Sequence, residues 1–262
     1  MSEYQNWLFN QQERIATLTL NRPEHSNNLT LETFQELRDI TDHLRANKEI
    51  WAVILEGKGK HFSAGADVNI IRSMIDYPQG PFRETLLDMQ NCLDEFEALE
   101  KPTIAKLRGF CLGGGMILAL CCDFRIASQR TILGFPEVKI GVPVIAGTQR
   151  VTRIAGVATT KELILLGRNF NARTAKEYGL VHKVVPPDEL DTAVARFASK
   201  FLKLPPRTVG AAKRVIDVGS YLPLRASQDL EIDAQAELLH SPDFKEAVNS
   251  YIEGRPPRFI GE

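Results

Sequence analysis

Two glycine-rich turns carry the chemistry this sequence offers. Ser63-Ala-Gly-Ala-Asp67 follows the apolar run 52–55, and Leu112-Gly-Gly-Gly115 follows the apolar run 103–107. A glycine-rich turn from strand to helix leaves backbone N–H groups pointing outward with no side chain in the way. One such N–H from each turn, converging on a single oxygen, would form an oxyanion hole. The same glycines also suit close packing of a helix on a strand, and composition alone leaves both readings open. Gly113 to Gly115 matches neither GxGxxG nor a P-loop, which argues against dinucleotide and nucleoside triphosphate binding.

Few other side chains suggest chemistry. Glu137 follows a proline turn, where a solvated carboxylate is the ordinary reading. Glu84 and Asp88 are four apart and share a helical face, which reads first as a solvated acidic face. His25 and His61 flank loops and read as structural or solvated, and Asp123 as a holder of nearby backbone groups. Cys92, Cys111, Cys121 and Cys122 form no CxxC pair and have no accompanying His spacing, so they read as buried thiols in a reducing compartment, with no zinc site.

The elements around the turns follow from periodicity. Residues 14–20 alternate and are rich in β-formers, predicting a strand that Asn21-Arg22-Pro23 ends. Thr30 caps a predicted helix to about Ala46, with Phe34, Leu37, Ile40 and Leu44 as its apolar stripe. The continuous apolar runs 52–55 and 103–107 read as strands covered on both faces. Residues 57–67 read as a loop, 69–99 as helix interrupted near 78–81, and 109–115 as a turn before a helix from Met116. Two short strands are expected at 124–127 and 131–135. From about Pro186 the pattern turns helical, at 188–204, 206–218, 222–239 and 241–254, with Ser241 as a cap and Gly254 as a stop. The class is α/β, with a core over 1–186 and a helical region over 187–262. No fixed-period repeat appears.

The bulk properties narrow the field. The 262 residues are 44% hydrophobic and 25% charged, with a formal charge of -1, which is ordinary globular composition without the basic excess of a nucleic-acid binder. Met1 to Asn10 lacks the basic start and apolar run of a signal peptide, and no stretch is apolar enough to span a bilayer. A soluble cytoplasmic protein is expected.

The motifs resemble one family. His61-Phe-Ser-Ala-Gly-Ala-Asp67 and the stretch from Lys101 to Gly115, with Cys122-Asp123 following, are similar to the two defining motifs of the crotonase (enoyl-CoA hydratase/isomerase) family. Phe135-Pro-Glu137, Gly147-Thr-Gln-Arg150, Ala175 to Val181 and Arg255 to Phe259 fit in the family's order, so the resemblance spans nearly the whole chain. It implies a crotonase-like spiral of ββα units with a helical C-terminal trimerisation region, assembled as a homotrimer or homohexamer. It implies an acyl-CoA substrate whose thioester oxygen is bound by the Ala66 and Gly114 N–H groups. Ala64, Ala66, Asp67, Gly114 and Ile117 would line the substrate site. No metal or redox cofactor is implied, since CoA arrives with the substrate, and neither a nucleic-acid nor a membrane partner is expected.

The carboxylates separate the family's reactions. Family hydratases use two glutamates, because water must be held and deprotonated while Cα receives a proton. By resemblance the second is Glu137, while the first position falls on Ile117, which cannot titrate. One carboxylate beside an enolate suffices for a proton shift, so the pattern resembles the family's isomerase branch. Burial beside Ile117 and Phe135 would raise the pKa of Glu137. The segment from Gly141 to Gly147 is less glycine-rich and one residue shorter than its hydratase counterpart, so Val144 and Ile145 would reshape the acyl pocket. Glu84 or Asp88, if turned inward, would restore the missing acid. The alternatives are a hydratase or other lyase acting on an unusual acyl or alicyclic CoA thioester, a decarboxylase using the same oxyanion hole, and a non-catalytic acyl-CoA-binding subunit.

Overall fold

The computed structural model describes residues 4–73 and 75–262. Residues 1–3, where the signal-peptide reading begins, and Met74, inside the helix expected over 69–99, lie outside the described residues.

Among the described residues nine strands form two sheets. They are β1 (Trp7–Gln12), β2 (Ile15–Leu20), β3 (Ala52–Gly57), β4 (Thr103–Leu107), β5 (Phe110–Leu112), β6 (Phe124–Ser128), β7 (Ile132–Gly134), β8 (Asn169–Asn171) and β9 (Lys183–Val185). The larger sheet has the order β1-β2-β3-β4-β6-β9, and the smaller has β5-β7-β8. The β1–β2 hairpin is antiparallel, and every later pairing in the large sheet is parallel. Successive turns of chain thus lay a long strand on one sheet and a short strand on the other, as in β4–β5 and β6–β7.

Parallel neighbours need crossovers, and helices supply them. Helix α1 (Leu31–Ala46) joins β2 to β3, while α2 (Val68–Ser73) and α3 (Gln79–Glu97) lie between β3 and β4. Thr30 caps α1 through a reciprocal box with Thr33, and Phe34, Leu37, Ile40 and Leu44 are all buried, as the periodicity predicts. They share a core with Val53 and Leu55 of β3 and with Cys92, Leu93 and Phe96 of α3. The opposite face of the sheet carries a second cluster, in which Ile104, Ile126 and Val185 pack against Leu190 and Val194 of α7 (Leu190–Ala198). Both faces are covered, which is why β3 and β4 read as unbroken apolar runs.

Several expectations change. Residues 109–115 are not all turn: β5 occupies the middle, between Gly109 and Gly113, both with positive φ. The following helix, α4 (Gly114–Leu120), begins two residues before Met116. Strand β1 was not foreseen, because as an edge strand it buries only Trp7 and shows no clean alternation. The segment 188–204 is not one helix: α7 stops at Ala198 and a separate short turn spans Phe201–Lys203. Two further helices, α5 (Thr148–Leu166), kinked at Gly156, and α6 (Ala172–Glu177), fill a stretch for which periodicity gave no element. The chain ends in α8 (Pro206–Gly219), α9 (Leu224–Leu238) and α10 (Pro242–Glu253), the last capped by Ser241 and stopped by left-handed Gly254. These helices leave Leu224, Ile232, Tyr251 and Ile252 exposed.

Candidate active site

The two glycine turns are bound edge to edge by backbone. Ser63 N–H donates to Phe110 O at 3.0 Å, and Leu112 N–H donates to Ser63 O at 3.0 Å. On the other side, Leu29 N–H donates to Gly65 O at 2.8 Å and Asp67 N–H donates to Leu29 O at 3.0 Å. Alternate peptide groups along an extended segment point in opposite directions. With Gly65 O and Asp67 N–H turned toward Leu29, the Ala66 N–H must point away from it, and Ala66 is exposed.

Gly114 comes to meet it. A β-carbon on Gly114 would lie 3.5 Å from Ala66 N, and one on Gly65 would lie 3.3 Å from Gly114 N and 2.9 Å from Leu112 O. As the first residue of α4, Gly114 has an N–H with no acceptor on a preceding turn. Among the described residues neither the Ala66 nor the Gly114 N–H donates a hydrogen bond. Two unpaired amides, one at the start of α4 and one on the neighbouring turn, form a pocket of positive potential suited to an oxygen gaining negative charge. The approach depends on Gly115 too, where a β-carbon would fall 2.6 Å from Ser63 Cβ.

The acid is delivered by the next turn of chain. β5 pairs in parallel with β7, and Gly113 N–H extends that ladder by donating to Gly134 O at 2.9 Å. Three residues on, Glu137 sits in the first turn of the short 3-10 helix Pro136–Ile140. Its carboxylate rests over the Gly113 α-carbon, where a β-carbon would meet Glu137 Oε1 at 3.0 Å. Gly113 has φ 50°, ψ −126°, so both its backbone and its bare α-carbon require glycine. Glu137 Oε2 is buried and has no hydrogen-bond partner among the described residues. Burial pushes the carboxyl above its usual pKa, with a contact to its own backbone pulling the other way. An unpaired, desolvated carboxyl is costly to keep, and such groups mark functional sites.

Ile117 lies one turn along α4 from Gly113, its N–H bonded to Gly113 O at 3.0 Å, so it shares that face of the helix. It is buried, and it packs with Val144 around Gly147. Ile145, expected beside Val144 in the acyl pocket, is 38% exposed, whereas Val144 is 5% exposed. Glu84 and Asp88 do not supply a second acid: Glu84 is exposed, and Asp88 is exposed and paired with Arg38 of α1 at 2.9 Å.

Other residues singled out in the sequence sit around these turns. Asp67 is buried and accepts from Asn28 Nδ2 at 2.7 Å and Asn69 N–H at 2.8 Å, which fixes the end of the first turn. Ala64 is half-buried, its N–H donating to Ser26 O at 2.9 Å. His61 stacks on Phe110 at 4.3 Å and accepts from Phe110 N–H, and burial depresses its pKa. Asp123 accepts from the Thr103 backbone and hydroxyl and pairs with Lys213 of α8 at 2.6 Å. The four cysteines are buried free thiols, and burial raises their pKa values. No group of three or more His, Cys, Asp or Glu among the described residues is placed to hold a metal ion, and no helix there is long and apolar enough to cross a membrane. Sequence reasoning missed the seat at Gly113 and the contacts of Arg150, which depend on residues far apart in the chain.

The chain has relatives of known family. Residues 10–262 match the family described as Enoyl-CoA hydratase/isomerase. The chain is 35% identical over 255 residues to the Short-chain-enoyl-CoA hydratase of Clostridium acetobutylicum, covering 97% of each. It is 36% identical over 258 residues to Enoyl-CoA isomerase/hydratase fer4 of Mycosarcoma maydis, covering 95% of this chain and 93% of that one. The crystal structure of enoyl-CoA hydratase from Bacillus anthracis matches with a TM-score of 0.91 at 34% identity, covering 98% of this chain and all of that one. The chain belongs to the enoyl-CoA hydratase/isomerase family, the crotonases, and is an enzyme with the crotonase fold.

Proposed function

We propose that this enzyme moves the double bond of an enoyl-CoA thioester from the 3- to the 2-position, with Glu137 as the single acid–base group. The thioester oxygen accepts hydrogen bonds from Ala66 and Gly114 N–H. Glu137 removes a proton from C2, and the C–H electron pair becomes the C1–C2 π bond of a dienolate whose charge rests on that oxygen. As the dienolate collapses, C2=C3 forms and the former C3=C4 electrons take the proton back at C4 from protonated Glu137. Each amide strengthens its bond as charge develops, and one such donor contributes about 2.7–4 kcal/mol to lowering a barrier. Ile117 presents the acyl chain with a surface that cannot hold or deprotonate water. Ala64 and Asp67 shape the mouth where the CoA portion enters, and the exposed apolar residues of α9 and α10 suit assembly into a homotrimer or homohexamer.

The single observation that carries this reading is the half-buried Glu137 over Gly113, its Oε2 buried and unpaired, with an aliphatic side chain one turn along the same helix. A hydratase or other lyase is the second reading, favoured by the likeness to the Short-chain-enoyl-CoA hydratase of Clostridium acetobutylicum. Supplying 3-enoyl-CoA and 2-enoyl-CoA separately distinguishes them. Isomerisation predicts 2-enoyl-CoA from the former. Turnover of the latter alone, with water incorporated, overturns the proposal in favour of hydration.

A further inference from the structure

The segment from Val144 to Gly147 packs on the helix that carries Ile117, and its backbone is held in an unfavourable shape. Ala146 has φ 56°, a left-handed conformation disfavoured for a residue with a β-carbon. Beside it, Gly147 N–H donates to Ile145 O at 2.6 Å, closing a tight turn. A β-carbon on Gly147 would fall 2.7 Å from Ile117 Cγ1 and 3.0 Å from Val144 Cγ1, so these residues interlock without room to spare.

One side chain opposes the strain. Arg150, in the first turn of α5, donates from Nη1 to Ala146 O. Its other donors are fixed on α3, Nε to Glu97 Oε2 at 2.9 Å and Nη2 to Asp94 Oδ1 at 2.6 Å. The Arg150 side chain is only 11% exposed. A planar fork anchored by two carboxylates is a rigid support. Strained non-glycine residues persist where their surroundings over-determine them, and they cluster at functional sites.

We propose that Arg150 is a positioning residue: it holds Ala146 left-handed, and so keeps Ile117, Val144 and Gly147 closed as an aliphatic wall that bars water from the side of the site lacking a carboxylate. The inference rests on the one-carboxylate reading. If the loop relaxes, the wall opens, and water gains access to C3 of a bound 2-enoyl thioester.

The test uses the full-length enzyme with Arg150→Met, and the same change combined with Ala146→Gly. Glycine accepts positive φ without strain, so it removes the need for the clamp. For Arg150→Met, the expected results are a lower kcat for isomerisation with KM little changed, and a hydration-to-isomerisation ratio raised roughly 5- to 30-fold, the population change that strain of this size produces. The double variant returns toward wild type. Hydrogen exchange of the Val144–Gly147 amides, read without any substrate, is faster in the single variant and slower again in the double. Where Arg150→Met fails to fold, Arg150→Lys keeps the positive charge but loses the fork, and it should show the same ratio and exchange changes. An unchanged ratio with unchanged exchange in a folded variant, or no rescue by glycine, overturns the proposal. If wild type fails to isomerise, the one-carboxylate reading falls, and the exchange measurements still decide whether Arg150 clamps the loop.

Discussion

The two sides of the site are built from different materials. The amide side, residues 63–67 with 110–115, is backbone against backbone: Ser63, Phe110, Leu112 and Leu29 exchange main-chain hydrogen bonds, and Gly65, Gly113 and Gly115 stand where a β-carbon would collide. The acid side, residues 136–147, is defined by side chains: one carboxyl without a partner, and an aliphatic group formed by Ile117 and Val144 around Gly147. In the proposed reaction the first side stabilises the enolate, whatever its fate. The second decides that fate, because the number of titratable groups near the enolate sets which proton transfers are possible. A family can therefore keep the amides and change reaction by changing a few side chains opposite them.

Substitutions on the two sides should differ in size and in kind. The largest effect belongs to the acid. Glu137→Gln keeps the shape and removes the base, and kcat for isomerisation should fall by about 10²–10⁴ with the amide side undisturbed. A direct binding measurement should show that thioester affinity survives. On the amide side, Gly114→Ala is the cleanest probe, because the methyl would sit 3.5 Å from Ala66 N and 3.4 Å from the flexible end of Leu29. The fold should tolerate it; the Gly114 N–H is kept, but the methyl crowds the approach of the substrate oxygen to Ala66 N–H, and kcat/KM falls by up to about 10²–10³, the loss expected when one oxyanion donor is shut off. Gly115→Ala tests the packing beneath: its β-carbon would meet Ser63 Cβ at 2.6 Å and Ser63 O at 2.8 Å. Denaturant unfolding should show a loss of about 1–3 kcal/mol, typical of overpacking.

The smallest effect is in pH. Burial raises the folded-state pKa of Glu137 above its unfolded value. Its contribution to stability is therefore fully present below the unfolded pKa and is lost as pH rises through the folded one. A base must be ionised to act, so kcat/KM should rise with pH, with a midpoint above the ordinary glutamate value of about 4.3. Glu137→Gln should remove that acid limb and flatten the stability profile over the same window.

How much of this was legible in the sequence follows the same division. Helix α1 announced itself through Thr30 and four apolar residues at helical spacing, and β3 and β4 through short apolar runs, because local pattern and burial agree there. The glycine turns were visible as candidates, since backbone that must approach backbone leaves a compositional trace. Their convergence was one of two open readings there and gained its residues only through the resemblance, because what holds the turns together is Leu29 and Phe110, which carry no signal of the role. β5 hid between two glycines that read together as a turn, and α5 was obscured by the break at Gly156. The acid side was legible only through family resemblance: nothing local separates Glu137 from a solvated glutamate after a proline. The Arg150 contacts to Ala146, Asp94 and Glu97 join α3 to the start of α5 across more than fifty residues, and no periodicity encodes such a clamp.

In the proposed reaction one carboxyl moves one proton between two carbons. Its most direct test is a 3-enoyl-CoA deuterated at C2, turned over once by excess enzyme, with the product read by mass spectrometry. Transfer by Glu137 gives 2-enoyl-CoA with part of the deuterium carried to C4 and no oxygen gained from water. A product with no label at C4, or one bearing water's oxygen at C3, contradicts it.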